Sequence, residues 1–154
     1  RSAGGAPKVF ARPLPAQLMI QVEDTLAGTD TDGNGIWDDV DSYLVANFGD
    51  RPELLPALRQ YVCAIQASLI DAQDSELSLK HARKYDRASE CVDSFYPDDT
   101  EEMIAAQFEE LAALRAAILK NRVRTLANIV FSEHSAGHVF LGVPPGEERS
   151  SCKF

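Results

Sequence analysis

Between Arg51 and Gln73 the residues Leu55, Leu58, Val62, Ile65 and Leu69 recur every three or four positions, the spacing that gathers apolar side chains onto one stripe of an α-helix. Such a stripe commits the segment to a helix that buries one face against other elements. The same period returns elsewhere. Val40, Tyr43, Leu44 and Phe48 hold it in a segment that stops at Gly49, and Leu77, His81, Ala82, Tyr85, Ala88 and Val92 hold it up to Pro97. Ile104, Phe108, Leu111, Leu114, Ile118, Val123, Leu126 and Val130 carry it across a stretch from Asp98 or Asp99 to about Ser132, long enough that a kink or break is expected. There Thr100 supplies a capping oxygen, and Asp98, Asp99, Glu101 and Glu102 supply the negative charge that a helix start favours. An earlier helix, from Pro13 or Pro15 to Ala27, carries Leu18, Ile20, Val22 and Leu26 and is stopped by Gly28. No segment alternates apolar and polar residues long enough to demand a strand. The expected fold is therefore all-α, about five helices in an irregular antiparallel bundle within one domain over residues 1–154. Its parts are an irregular arm (1–12), a helix-loop-helix unit (13–49), a helical bundle (50–134) and an irregular tail (135–154). In that tail Val139, Phe140 and Leu141 are expected to pack on the bundle before the chain frays.

The stretch "GTDTDGNGIWDDVDSYL", Gly28 to Leu44, crowds Asp30, Asp32, Asp38, Asp39 and Asp41 into a single loop. Their mutual repulsion needs a counterion, and the spacing suits a hard cation that takes six to eight oxygens at roughly 2.3–2.6 Å. With Asp30 as the first of twelve positions, Asp32 is third, Asn34 fifth, Ile36 seventh, Asp38 ninth and Asp41 twelfth. Each falls on a ligand position, Ile36 through its backbone carbonyl and Asp38 directly or through water. Gly35, sixth, stands where the loop turns sharply and a residue without Cβ takes a positive φ. Calcium is the expected ion; magnesium keeps its waters and prefers fewer protein ligands. The plain alternative is an acidic turn punctuated by "DG" and "NG".

The loop resembles those of the EF-hand family, and more closely the Asp-x-Asp-x-Asn-Gly versions in bacterial extracellular proteins, dockerins and thrombospondin type 3 repeats. The resemblance covers residues 15–49 and implies helices on both sides of the loop. As in those versions, an aspartate, Asp41, closes the site where a typical EF-hand has glutamate, which implies modest affinity, roughly 10⁻⁴ to 10⁻³ M. Trp37 departs from the aliphatic eighth residue through which EF-hand sensors pair two loops. "DSFYPDDTEE" has acids but no glycine and no alternating spacing, so no second loop is expected. A lone loop points to a structural ion and not to a calcium-triggered sensor.

The formal charge of −9 counts against nucleic acid and anionic membrane surfaces, which want clustered Lys and Arg, and no apolar run approaches the roughly 18 residues of a membrane span. Arg1 stands where an unprocessed chain has Met, and no charged and then apolar leader follows it. The chain is therefore expected to be processed or excised from something longer, and the calcium loop, suited to the calcium-rich exterior of cells, leads to the expectation of a periplasmic or secreted protein. Three cysteines leave either one disulfide and a free thiol or three thiols. A Cys63–Cys91 bridge across two consecutive antiparallel helices is favoured, with Cys152 bonding to one of them as the competitor, and two buried thiols as the plain alternative.

His134 and His138 are four residues apart beside Glu133, but Gly137 interrupts the helix that would align them and no third zinc ligand is in sight. His81 suits a surface position or a satisfied one in the core. Arg115 and Arg122, seven apart on one helical face, could anchor a carboxylate or phosphate, although such arginines more often pair with acids at the core edge. No nucleophile, base or phosphate-loop pattern appears. The functional expectation is a calcium-binding extracytoplasmic helical protein, a binding or interaction module whose protein partner the sequence does not name. Its rival is a small hydrolase or anionic-ligand-binding protein with a site near Arg115 and Arg122 or near His134 and His138.

Overall fold

Apolar residues at helical spacing fold here into five α-helices, in a computed structural model that describes residues 26–96 and 99–154. The helices are α1 (Asp38–Phe48), α2 (Leu55–Ile70), α3 (Ser75–Asp93), α4 (Glu101–Ile118) and α5 (Arg122–Ser135), followed by a 3₁₀ turn at Glu148–Ser151. No strand occurs among the described residues, as expected for an all-α chain. Three helices begin on side-chain caps that satisfy a backbone N–H of the first turn. Asp74 accepts from Leu77 N (2.9 Å), Thr100 from Met103 N (3.3 Å) and Asn121 from Arg124 N (2.8 Å). The Thr100 cap was expected; the other two were not singled out.

Helix α2 is the centre of the bundle. Leu58, Val62, Ile65 and Leu69, four of the five residues of its stripe, are buried, as are Ala57, Tyr61 and Ala64. Helices α1, α3 and α5 pack against it. The short connection 71–74 lays α3 back along α2, where Ala88, Cys91 and Val92 join a single buried cluster that also takes Leu114 and Ile118 from α4. Burying a Leu-sized side chain stabilises by about 1.5–3 kcal/mol, and this shared core holds the helices together.

The expected long helix from Asp98 or Asp99 to Ser132 is two helices. Leu119–Asn121 interrupts it, and Asn121 caps the second piece. The break sends the two pieces to different neighbours, α4 against α1 and α5 against α2 and α3. It also removes the continuous face on which Arg115 and Arg122 were to lie. The expected helix ending at Ala27 falls outside the described residues except for Leu26 and Ala27, which form a bend and not a helical turn.

The disulfide joins Cys91 to Cys152, Cα atoms 4.8 Å apart, and Cys63 is a free thiol, so the favoured Cys63–Cys91 bridge is not formed. Cys91 points into the core from α3, whereas Cys63 lies on the exposed side of α2. The tail consequently does not fray. Beyond the disulfide, Val143 N donates to Glu90 Oε2 (2.8 Å), Gln60 Nε2 to Ser151 O (3.0 Å) and Lys153 N to Gln60 Oε1 (2.8 Å). Of the three tail residues expected to pack on the bundle, Phe140 is half-buried with the Arg83 guanidinium of α3 over its ring at 5.5 Å, while Val139 and Leu141, on either side of it, are exposed.

The two cysteines are 61 residues apart, and closing a loop of that length stabilises by about 4 kcal/mol in the chain-entropy model. Cys152→Ser is expected to lower the unfolding free energy by an amount near that figure and Cys63→Ser by far less, as read by urea titration of the circular dichroism signal. Equal losses would contradict the assignment.

Candidate metal centre

The acidic loop lies between Leu26 and the first turn of α1, and its inner side is fixed before its carboxylates are considered. Ile36 and Trp37 are buried. Gln66, itself buried on α2, holds the backbone on either side of Ile36, its Nε2 donating to Gly35 O (2.9 Å) and its Oε1 accepting from Trp37 N (3.1 Å). A buried amide whose oxygen and nitrogen are both bonded is a strong register device, since removing either partner strands a polar group.

A second clamp grips the other end. Arg124, on α5, is 2% exposed. Its Nη1 donates to Asp39 Oδ2 (2.9 Å) and Ile118 O (3.0 Å), its Nε donates to Leu26 O (3.2 Å), and its guanidinium lies over the Trp37 ring at 4.0 Å. Lys120 Nζ adds a contact to Asp39 Oδ2 (3.1 Å). Burial alone would raise the Asp39 carboxyl, but the hydrogen bonds and charges of Arg124 and Lys120 outweigh it and hold Asp39 below its ordinary value. Gly28 lets this packing close: a Cβ there would stand 2.7 Å from Arg124 Nη2 and 2.8 Å from Trp37 Cβ.

On the outer side three of the remaining four aspartates converge. Carboxylate oxygens of Asp30, Asp32 and Asp38 lie within 4.8 Å of one another, and these three could hold a metal ion. Among the described residues no other set of three or more His, Cys, Asp or Glu gathers in this way. The backbone turns around Asp30, whose oxygens accept from Asn34 N (3.2 Å) and Gly35 N (2.9 Å), and Gly35 takes the positive φ, 87°, that the sharp turn requires. Asn34 Oδ1 accepts from Ile36 N (2.8 Å), while its Nδ2 donates to Asp32 Oδ2 (3.2 Å) and Asp41 Oδ2 (2.9 Å). Asp41 stands outside the trio but is tied to it through that amide. Its Oδ1 is buried without a hydrogen bond, 3.7 Å from the Arg59 guanidinium.

The structure thus brings Asp30, Asp32 and Asp38 together, attaches Asn34 and Asp41 at their edge, and buries the Ile36 side chain beneath them. Besides Gln66, two contributors went unnoticed in the sequence. Thr31 donates to both oxygens of Asp38, from N (2.9 Å) and Oγ1 (2.5 Å), and these bonds lower the Asp38 carboxyl below its ordinary value. Arg124 was passed over for Arg115 and Arg122, since a lone arginine within an amphipathic helix reads like any other.

The competing sites are less complete. Arg115 and His138 line one cleft of about 480 Å³, but the Arg115 guanidinium already donates to Tyr85 Oη (3.3 Å) and Asn128 Oδ1 (3.5 Å). Arg122 is exposed on α5, and His134 Nδ1 bonds to Ala72 O (2.8 Å), a tie between α5 and the α2–α3 turn. No protein-family model, curated protein or solved structure matches the chain.

Removing a buried guanidinium while leaving its carboxylate behind costs about 3–5 kcal/mol, so Arg124→Met is expected to be strongly destabilising. The stabilising contribution of Asp39 is present above the ordinary carboxylate range and is lost as pH falls through its lowered value. The wild type should therefore lose stability on acidification more steeply than Arg124→Met, as measured by urea midpoints from neutral pH to about pH 3. Parallel pH profiles would show that the pair carries no such term.

Proposed function

We propose that this chain is a calcium-binding extracytoplasmic helical protein in which the ion has a structural role, and that the bundle acts as a binding or interaction module. The observation that carries the reading is the 4.8 Å separation limit of the Asp30, Asp32 and Asp38 oxygens. Oxygens on opposite sides of a calcium ion at roughly 2.3–2.6 Å are about that far apart. In this reading Asp30, Asp32, Asn34, the Ile36 carbonyl, Asp38 and Asp41 supply the ligands, and waters complete the shell. The Asp41 Oδ1 atom, buried without a hydrogen bond, has a lone pair to give.

A structural role is favoured over a switch by the inner side of the loop. Ile36 and Trp37 are buried and Gln66 is fully engaged, so binding on the outer side has no closed apolar face to open. The ion would instead offset the repulsion among the aspartates and tighten the link between the loop and α2. The Cys91–Cys152 disulfide supports an oxidising compartment, periplasmic or extracellular, where such bonds persist. No described helix is long and apolar enough to cross a membrane.

A ligand that binds only the folded state stabilises by RT ln(1 + [L]/Kd), about 1.4–2.7 kcal/mol when calcium is ten to a hundred times Kd. Excess calcium is therefore expected to raise the melting temperature of chelator-treated protein by several degrees, with magnesium less effective and Asp32→Asn abolishing the gain. Superimposed melting curves in chelator and in excess calcium would overturn the proposal. A large rise in binding of an apolar dye during the titration would overturn the structural role.

A further inference from the structure

A groove of about 760 Å³ runs between α2 and α3, bordered by Asn34 and Ile36 of the acidic loop and by Lys153 and Phe154 of the tail. Five cations line it, Arg59, Arg83, Lys84, Arg87 and Lys153, and no aspartate or glutamate does. The chain has only 15 lysines and arginines against 24 acids, so a third of its positive side chains stand around one depression. Among the described residues, Arg59 is 3.7 Å from Asp41 and Arg87 3.7 Å from Glu90, at the limits of an ion pair, while Arg83, Lys84 and Lys153 form no ion pair. Exposed arginines and lysines along a helix ordinarily make no more than a solvated face. What differs here is the surface beneath them. Pro56, Ala67 and Phe154 give the groove a largely apolar lining, and Phe154 leaves most of its side chain exposed.

We propose that this groove binds one molecule of a small amphipathic anion, an alkyl chain ending in a carboxylate or phosphate. The tail would cover the apolar floor, and the head would sit among Arg83, Lys84, Arg87 and Lys153, where a delocalised guanidinium can take two oxygens at once. The volume lies within the roughly 300–1,000 Å³ of small-molecule sites, and such sites pair apolar walls with a few charged groups in this way. A concave site suits a single extracted molecule. A planar anionic bilayer would instead meet the net charge of −9. The proposal does not depend on a bound calcium ion: Asn34 and Ile36 of the loop border the groove, but the cations that would hold the head, Arg83, Lys84, Arg87 and Lys153, lie outside the loop.

Isothermal titration calorimetry without added calcium tests it, with dodecanoate and dodecyl phosphate as probes below their micelle-forming concentrations. Dodecyltrimethylammonium and acetate isolate the contributions of head and tail. The expected result is saturable one-to-one binding of at least one long-chain anion, the tighter probe identifying the preferred head group. Both controls should bind at least tenfold more weakly. The triple variant Arg83→Ala, Lys84→Ala, Arg87→Ala should also lose at least tenfold, and Lys153→Glu, a single change at an exposed position, gives an independent reading if the triple variant does not fold. The proposal is overturned by the absence of saturable binding, by equal affinity for the cationic amphiphile, by undiminished affinity in the folded variants, or by co-sedimentation with phosphatidylglycerol vesicles in place of one-to-one binding.

Discussion

The architecture turns on a buried guanidinium. Arg124 reaches from α5 to the carbonyl of Leu26, where the described chain begins, to Asp39 in the first turn of α1, and to the last carbonyl of α4 at Ile118, with Trp37 beneath it. Burying such a group costs several kcal/mol unless its donors are matched. Here a carboxylate and two carbonyls meet them, and an aromatic face covers the plane. Four separate stretches of chain must therefore be correctly placed at once. Any arrangement that lets α5 drift from the loop leaves a charge buried without its partner.

This constraint sorts the aspartates of the loop. Asp39 is turned inward to Arg124 and Lys120, while Asp30, Asp32 and Asp38 are left facing outward with their oxygens close together. A loop pinned on its inner side by Gln66 and at the start of α1 by Arg124 cannot relieve the repulsion by spreading, because Ile36 and Trp37 would have to leave the core. Part of the charge is met locally by the amides of Asn34 and Gly35 and by Thr31. The remainder is what a bound cation would answer.

Periodicity made the helices legible, because the residues that repeat every three or four positions are largely those that are buried. The α2 stripe illustrates this: every member except the half-buried Leu55 is in the core. It failed where a local device overrides the pattern. Leu114, Ile118, Val123 and Leu126 continue one apolar period across Leu119–Asn121, yet Asn121 caps a new helix there, and Val123 and Leu126 are left partly exposed. The candidate ligands were legible for a different reason, since alternating loop positions translate directly into converging side chains. Pairings between distant residues left no local trace. Arg124 with Asp39, Gln66 with the backbone beside Ile36, and Cys91 with Cys152 depend on how helices far apart in sequence come to lie, and the choice between Cys63 and Cys152 rested on which cysteine faces the core.

Trp37, the chain's one tryptophan, adjoins Asp38 of the converging trio, so the ion itself can be made to report its position. Terbium, a hard cation that takes oxygen ligands as calcium does, emits when excited through a nearby indole. A loop that holds one cation predicts sensitised emission that saturates at one terbium per chain, falls when calcium is added, and is absent from Asp30→Asn, Asp32→Asn protein that retains its helical circular dichroism. Emission that never saturates, ignores calcium or survives those substitutions would contradict the reading of the loop as a metal centre.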